Sequence, residues 1–319
     1  MFHDKYHNVV GVDVASQKLD VYHLQQNTHR TIDNSATAIK KFVRQTIDSD
    51  QTNLVVMEAT GGYETPLLES LLEAEIDCQV VNPLRVRQFA RACGKLEKTD
   101  EIDAKIIAKF GATIEPTLKS PLSPARKKLG ALVHRRDQIV SQQQAEQNRV
   151  KQTTDPIVSQ MIDAAIALYQ QQLKEINRLI AQTIASCEEL STQAEILGSC
   201  CGVGPVTIGV LLAELPELGQ LNRGEVAKLV GVAPLARDSG LKERKRKTHA
   251  GRGLVRKVLY MAALVCTQKN PRFKEAYRKL LERGKAKKVA LVAIMRKLIV
   301  TLNAMIKNQK KWEESECAY

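Results

Sequence analysis

The sequence predicts an α/β front domain on a mixed sheet, a helical coiled-coil connector, and a mainly α back domain with a helix-hairpin-helix-like element. Three observations predict it. Over residues 1–115, short apolar runs alternate with amphipathic stretches, the order that builds a sheet with helices packed on it. Pro116, Pro121 and Pro124 then fall within nine residues and precede a polar, Gln-rich stretch nearly free of Gly and Pro, which marks a boundary and a long helix. Residues 193–319 keep helical periodicity with turns marked by Gly. The domains are therefore drawn at 1–115, 116–192 and 193–319.

In order along the chain, Asn8 to Val14 is a short apolar strand and Lys18 to Leu24 alternates as a partnered strand does. Ala36 to Asp48 reads as an amphipathic helix. Asn53 to Met57 is a buried strand that runs directly into Glu58. Pro66 to Glu75 is helical, and Cys78 to Val81 is a strand stopped by Asn82-Pro83. Leu84 to Cys93 and Asp100 to Phe110 are helical. In the connector, Ala125 to Lys151 forms one helix and a second runs from Pro156 to about Leu190. In the second, Ile157, Met161, Leu168, Leu173, Ile176 and Ile180 recur mostly at three- and four-residue steps, as in a helical hairpin or coiled coil. Such a pair serves equally as a spacer or as a dimer seam. The back domain opens on an apolar hairpin, crosses a basic loop and ends in two basic helices.

Of 319 residues, 44% are hydrophobic, enough for sizeable cores, which excludes a wholly disordered chain. The net charge of +13 is split. Residues 1–110 hold 13 Lys/Arg against 16 Asp/Glu, so the remainder carries +16, a balance suited to a polyanionic partner. Aromatics are only 4%, which leaves few platforms for stacking single strands. Seven Cys without a CxxC pair argue against a zinc site and fit a reducing, cytoplasmic compartment. The apolar runs fall well short of the about 20 residues of a membrane span, and the N-terminus lacks a signal-peptide pattern, so no membrane attachment is expected.

Four acids stand where elements present them. Asp13 lies near the end of the first apolar strand, and Glu58 terminates another. Asp100 and Asp103 are three apart on one helical face, where two like charges repel unless a cation neutralises them. Hard oxygen donors of this kind suit Mg2+ or Mn2+ in a phosphoryl-transfer centre. Singly, each acid reads as well as a helix cap or a solvated charge. Glu101, beside them, should point away.

Two segments of the back domain suit phosphates. Gly202 and Gly204 form a GxG turn entering an apolar helix, where backbone amides can approach an anion, or where two helices simply pack tightly. From Arg237 to Lys257 there are nine Lys/Arg and two acids, with Arg237, Lys242, Arg244, Lys245, Arg246, Lys247, Arg252 and Arg256 as candidate nucleic-acid contacts. Ser239, in an Asp-Ser-Gly turn among these cations, is a candidate nucleophile toward a phosphodiester.

Taken together, VGVDVAS, MEATGGYE, Asn82-Pro83, KTDEIDA, CGVGPVT with LLAELPELG, and GVAPLARDSG followed by HAGRGLVRKVLYMAAL resemble, in that order, the DEDD transposases of bacterial insertion sequences, the IS one-ten family and its IS eleven-eleven branch. The resemblance implies a RuvC-like front domain with an RNase H fold. Asp13, Glu58, Asp100 and Asp103 would bind magnesium, and Ser239 would be the catalytic serine. It further implies a recombinase guided by a bridge RNA that pairs with donor and target DNA, a covalent phosphoserine intermediate, and a homodimer assembling to a homotetramer. Cys201 stands where relatives often carry Pro, and KERKRK is continuous where they often have a small residue. Two other readings of the same residues are a metal-dependent junction nuclease that uses only the acids, and a non-catalytic nucleic-acid-binding protein.

Overall fold

The computed structural model describes residues 5–47, 53–94, 99–234, 248 and 251–312. Contacts divide the chain into two compact units, Met1–Pro121 and Leu122–Tyr319.

The first unit is a five-stranded mixed sheet with helices. Its strands are β1 (Asn8–Val14), β2 (Lys18–His23), β3 (Thr28–Asp33), β4 (Asn53–Glu58) and β5 (Asp77–Val81), in the spatial order β3-β2-β1-β4-β5. β1 pairs antiparallel with β2 and parallel with β4, and β4 pairs parallel with β5. The helices are α1 (Ala36–Ile47), α2 (Thr65–Glu73), α3 (Pro83–Ala92) and α4 (Asp100–Thr113). Each element expected in this region is present. The addition is β3, a polar edge strand whose only aliphatic residue, Ile32, gives too little alternation to read as a strand.

The two faces of the sheet bury different sets. Val10, Val12, Val14, Leu19, Val21, Val55 and Met57 pack with α1 and α2 residues such as Ile39, Phe42, Leu67 and Leu71. Val9, Leu54 and Val56 pack with Ile106, Ile107 and Phe110 of α4. α4 can lie against the sheet because both surfaces are small. A Cβ on Gly11 would stand 2.2 Å from the Ala104 carbonyl oxygen and 2.3 Å from the Ala108 nitrogen. A Cβ on Gly111 would stand 2.4 Å from Val56 Cγ2. The helix starts where Thr99 accepts a hydrogen bond from Ile102 N at 3.3 Å, and Asp100, Glu101 and Asp103 in its first turn suit the positive end of the helix dipole.

The second unit is helical: α5 (Pro124–Val150), α6 (Pro156–Ala185), α7 (Glu188–Gly198), α8 (Pro205–Glu214), α9 (Arg223–Val230), α10 (Gly253–Lys269), α11 (Pro271–Glu282) and α12 (Lys287–Asn308). Ser123 and Asp155 cap α5 and α6, each followed by Pro at the first helical position, so two of the prolines start helices. The helix expected to reach about Leu190 instead stops at Ala185, and α7 restarts after Cys187. No Gly or Pro signals this break; the Ser186 hydroxyl donates to the Thr183 carbonyl at 3.0 Å. Leu129, Val133 and Ile180 of the hairpin share one core with α7–α12. At the far end of α6, Ile157, Met161 and Leu168 are 71%, 69% and 52% exposed, so half of the apolar stripe is left uncovered by the described residues.

Two basic helices were expected at the C-terminus, and the structure separates their roles. α11 is amphipathic, whereas α12 is the central strut of the core, burying Leu291, Ile294, Leu298, Ile299, Leu302 and Ile306. By length and hydropathy α12 could cross a membrane, but 61% of that window is buried within the unit, which accounts for its apolar character.

Candidate functional site

Strand register brings the front-unit acids to one surface. Gly11 of β1 faces α4, so Asp13, two residues on, points the same way. Val56 of β4 also meets α4, so Glu58, at the end of that strand, shares the face. Val12 pairs with Met57, which leaves Asp13 and Glu58 one position beyond, at the same end of two adjacent parallel strands. The first turn of α4, with Asp100 and Asp103, rises beside them because Ala104 is held against Gly11. Asp100 and Glu101 are exposed, whereas Asp13, Glu58 and Asp103 are half-buried. Thus Asp13 and Glu58 share one sheet face, and the α4 turn that carries Asp100 and Asp103 packs against that face.

Loops past the strand ends are tied down. The Thr60 hydroxyl donates to the Glu58 carbonyl at 2.9 Å, and Ala59 N donates to the Val81 carbonyl at 3.0 Å. Glu64 accepts from Thr60 N at 3.1 Å and from Gly62 N at 2.9 Å, which closes the Gly-Gly turn after Glu58. Asn34 donates to the Ala15 carbonyl at 2.9 Å and to the Tyr63 carbonyl at 3.2 Å, joining the loops after β1 and β4.

Two residues absent from the sequence reading complete the surface. Asp20 of β2 pairs directly across from Asp13 and is only 3% exposed. Its carboxylate accepts from the Thr31 hydroxyl at 2.6 Å, lies 3.2 Å from His29 Nε2, and forms a 3.2 Å ion pair with the Lys18 ammonium. Burial pushes the Asp20 pKa up, but the Thr31, Lys18 and His29 contacts outweigh it and hold the carboxyl below its ordinary value. Lys18 also donates to the carboxylate of Asp100. Its hydrogen bonds to Asp100, then Asp20, raise the Lys18 pKa and keep it charged. The alternation of KLDVYHL showed a strand, but the partners of Asp20 come from β3, which the pattern did not reveal.

The donor set suits a hard divalent cation in kind: up to four carboxylates on one face, with an ammonium already drawn among the acids. Among the described residues, no three His, Cys, Asp or Glu side chains are gathered closely enough to hold a metal as they stand.

In the back unit the GxG turn joins α7 to α8. Gly202 has φ +102°, and a Cβ there would stand 2.5 Å from Cys266 Sγ, so this glycine serves turn geometry and contact with α10. Gly204 precedes α8 with open space where its Cβ would be. The described residues on either side of the basic segment meet in a closed neck. Gly251, at φ +77°, would place a Cβ 2.3 Å from Gly231 N, and Arg252 N donates to the Leu229 carbonyl at 3.0 Å. The Arg252 guanidinium makes a bidentate bridge to Glu217 at 2.6 and 2.7 Å and also donates to the Glu214 carbonyl. It therefore braces the neck. Arg256 is half-buried on α10. Ser239, with Arg237, Lys242, Arg244, Lys245, Arg246 and Lys247, lies outside the described residues.

With this geometry in place, comparison with known proteins adds the following. A transposase family model of the DEDD IS110 type matches residues 10–158, and one described as transposase of the IS116/IS110/IS902 family matches residues 194–278. The pilin gene-inverting proteins of Moraxella lacunata and Moraxella bovis are each 26% identical over 314 residues, spanning 96% of this chain and 97% of theirs. A solved structure of T. thermophilus RuvC in complex with a Holliday junction substrate aligns at 15% identity with a TM-score of 0.25, covering 32% of this chain and 89% of that one.

Proposed function

Because the chain belongs to the IS110 family of transposases and is therefore an enzyme that cuts and rejoins DNA, we propose that it exchanges strands between donor and target DNA through a covalent phosphoserine on Ser239, guided by a bridge RNA. We read the front unit as RuvC-like with an RNase H fold. The mixed sheet with its acids at the ends of β1 and β4 supports that reading. The pilin gene-inverting relatives, whose name denotes a DNA rearrangement, support recombination over simple hydrolysis.

The observation that carries the chemistry is the convergence of Asp13, Glu58 and the first turn of α4 on one sheet face. Asp13, Glu58, Asp100 and Asp103 would hold Mg2+ or Mn2+, which when bound neutralises phosphate charge. In the proposed step, the Ser239 oxygen bonds to phosphorus as the bond from phosphorus to one deoxyribose oxygen breaks. The serine proton passes to solvent, and the departing oxygen takes one up. Attack by a deoxyribose hydroxyl of the other DNA reverses these events and frees the serine. Cations of the Arg237–Lys257 segment stabilise the charge that develops on the phosphoryl oxygens. Gly204, at the start of α8, and Arg256 contact phosphates, while Arg252 acts through the neck of the loop.

The exposed Ile157, Met161 and Leu168 support assembly of a homodimer, and from it a homotetramer. The enzyme works beside its DNA in the bacterial cytoplasm.

A two-plasmid recombination assay tests the proposal, run with RNA recovered from the purified protein. Asp13→Ala and Ser239→Ala each abolish recombinant product while the same noncoding RNA from the element's flank still copurifies. Full product from Ser239→Ala, or only random RNA fragments, contradicts it.

A further inference from the structure

Between β1 and the end of α4, the large apolar side chains that stand well out into solvent, among the described residues, are Tyr63 at 53% and Leu84 at 56%. Single exposed apolar residues are ordinary on a protein surface, but these two share one edge. β4 and β5 run parallel with Glu58 paired to Val81, and Tyr63 follows Glu58 closely as Leu84 follows Val81. That edge is also the one where Asp13 ends up beside Glu58.

Both residues are displayed by tied-down backbone. Gly61 and Gly62 take φ of +72° and +109° with open space where a Cβ would be, so they serve the shape of the turn and not its packing. The Glu64 carboxylate holds Thr60 N and Gly62 N, and Thr65 N donates to the Gly62 carbonyl at 3.1 Å. One Asn34 nitrogen donates to both the Tyr63 and the Ala15 carbonyl, which fastens Tyr63 to the loop that follows Asp13. Leu84 N donates to the Asn82 cap at 2.9 Å, and Ala59 N to the Val81 carbonyl. The turn is therefore rigid, while among the described residues the Tyr63 ring meets no other ring or cation and its hydroxyl makes no hydrogen bond.

A bare aromatic ring on a fixed turn fits an occupant with flat faces. The family cuts and rejoins DNA, and moving a strand from one duplex to another unpairs the bases beside each cut. An unpaired base presents a face on which any aromatic ring can stack, whatever its sequence. In a chain with only 4% aromatics, a ring spent in this position is informative. We propose that Tyr63 is a stacking platform for an unpaired DNA base beside the cut, with Leu84 completing the apolar rim that such a base leaves its duplex to meet. The inference rests on the Asp13–Glu58 edge being where DNA is cut. The contact is between ring and base, so it selects unpaired over paired DNA without reading sequence.

Two DNA probes read this without turnover: a duplex with a central unpaired stretch, and the same duplex fully paired, each carrying one photoreactive 5-iodouracil at the centre. The full-length protein with its copurified RNA is bound to each, its affinity measured, and the complex irradiated. Light should join the unpaired iodouracil to the peptide that contains Tyr63, and the paired one should give little of that product. Tyr63→Ala should lose the crosslink and about tenfold in affinity for the unpaired probe, with paired-duplex binding unchanged. Tyr63→Phe keeps the ring and should keep both. The side chain is exposed, so circular dichroism should report an intact fold in each variant. Equal binding of both probes by parent and Tyr63→Ala overturns the proposal, as does a crosslink that never reaches Tyr63. Loss of copurified RNA in Tyr63→Ala with DNA binding intact assigns the ring to RNA and also overturns it, as does a change of oligomeric state in light scattering. If Tyr63→Ala changes nothing while Asp13→Ala abolishes recombination, only the Tyr63 inference fails. If Asp13→Ala recombines like the parent, this edge is not where DNA is cut, and the inference falls with that reading.

Discussion

Asp20 shows most sharply how a single residue escapes sequence reading. A buried carboxylate is costly unless its oxygens are satisfied, and here the satisfaction comes from Thr31, His29 and Lys18. Asp20→Ala leaves those donors without their acceptor and should cost about 2–3 kcal/mol at neutral pH, measured by urea unfolding. The pH dependence follows from the depressed pKa. A carboxyl whose folded pKa lies below its unfolded one stabilises fully above the ordinary carboxylate range, and that stabilisation is lost as pH falls through the depressed value. The stability gap between parent and Asp20→Ala should therefore narrow on acidification. Gly11 is the complementary case. Its role was invisible because what it accommodates, the Ala104 carbonyl, lies more than ninety residues away. Gly11→Ala should push α4 off the sheet, cost about 3 kcal/mol and weaken Mn2+ binding, since Asp100 and Asp103 ride on the displaced turn. By contrast the placement of Asp13 and Glu58 near strand ends, and of Asp100 and Asp103 in the first turn of α4, was legible, because strand ends and three-residue spacing announce themselves locally.

At the scale of elements, apolar runs and caps sufficed for β1, β2, β4, β5 and α1–α4, where burial periodicity and proline placement agree. They failed at β3, whose stability comes from pairing with β2 and from Asp20 rather than from its own hydrophobicity. They failed again between α6 and α7, where a Ser-Cys break carries no breaker residue. The neck formed by the residues flanking the basic segment is an element-level device. Gly251 and Gly231 touch backbone to backbone, and Arg252 locks them to Glu217. Gly251→Ala adds both a collision and an unfavourable positive φ, and should destabilise the protein by about 1–3 kcal/mol in urea unfolding. Gly253→Ala, with no atom within 4 Å of the added methyl, should be close to neutral. Equal effects at the two glycines would argue against a closed neck.

For the whole molecule, the opposed charge of front and back was the first clue, and it remains the feature most directly legible in composition. A +16 back region that neutralises about six phosphates should lose roughly a thousandfold in DNA affinity between 50 and 200 mM salt. Replacing Lys245 and Arg246 with Gln should lower the slope of log affinity against log salt by about two. Composition alone did not show that Arg252 is already committed to Glu217, so that it adds to net charge without offering a free cation. Nor could it show that an apolar C-terminal helix with basic ends is the core of the second unit.

The central claim, that Ser239 becomes covalently joined to DNA in an enzyme whose acids assist the cut, is tested most directly on a denaturing gel. End-labelled donor DNA is incubated with the protein, its copurified RNA and Mg2+, then run before and after protease digestion. The expected result is a protease-sensitive, slowly migrating DNA–protein adduct, absent with Ser239→Ala and reduced at least tenfold with Asp13→Ala. Cut DNA with no adduct, or an adduct that survives Ser239→Ala, would contradict the account.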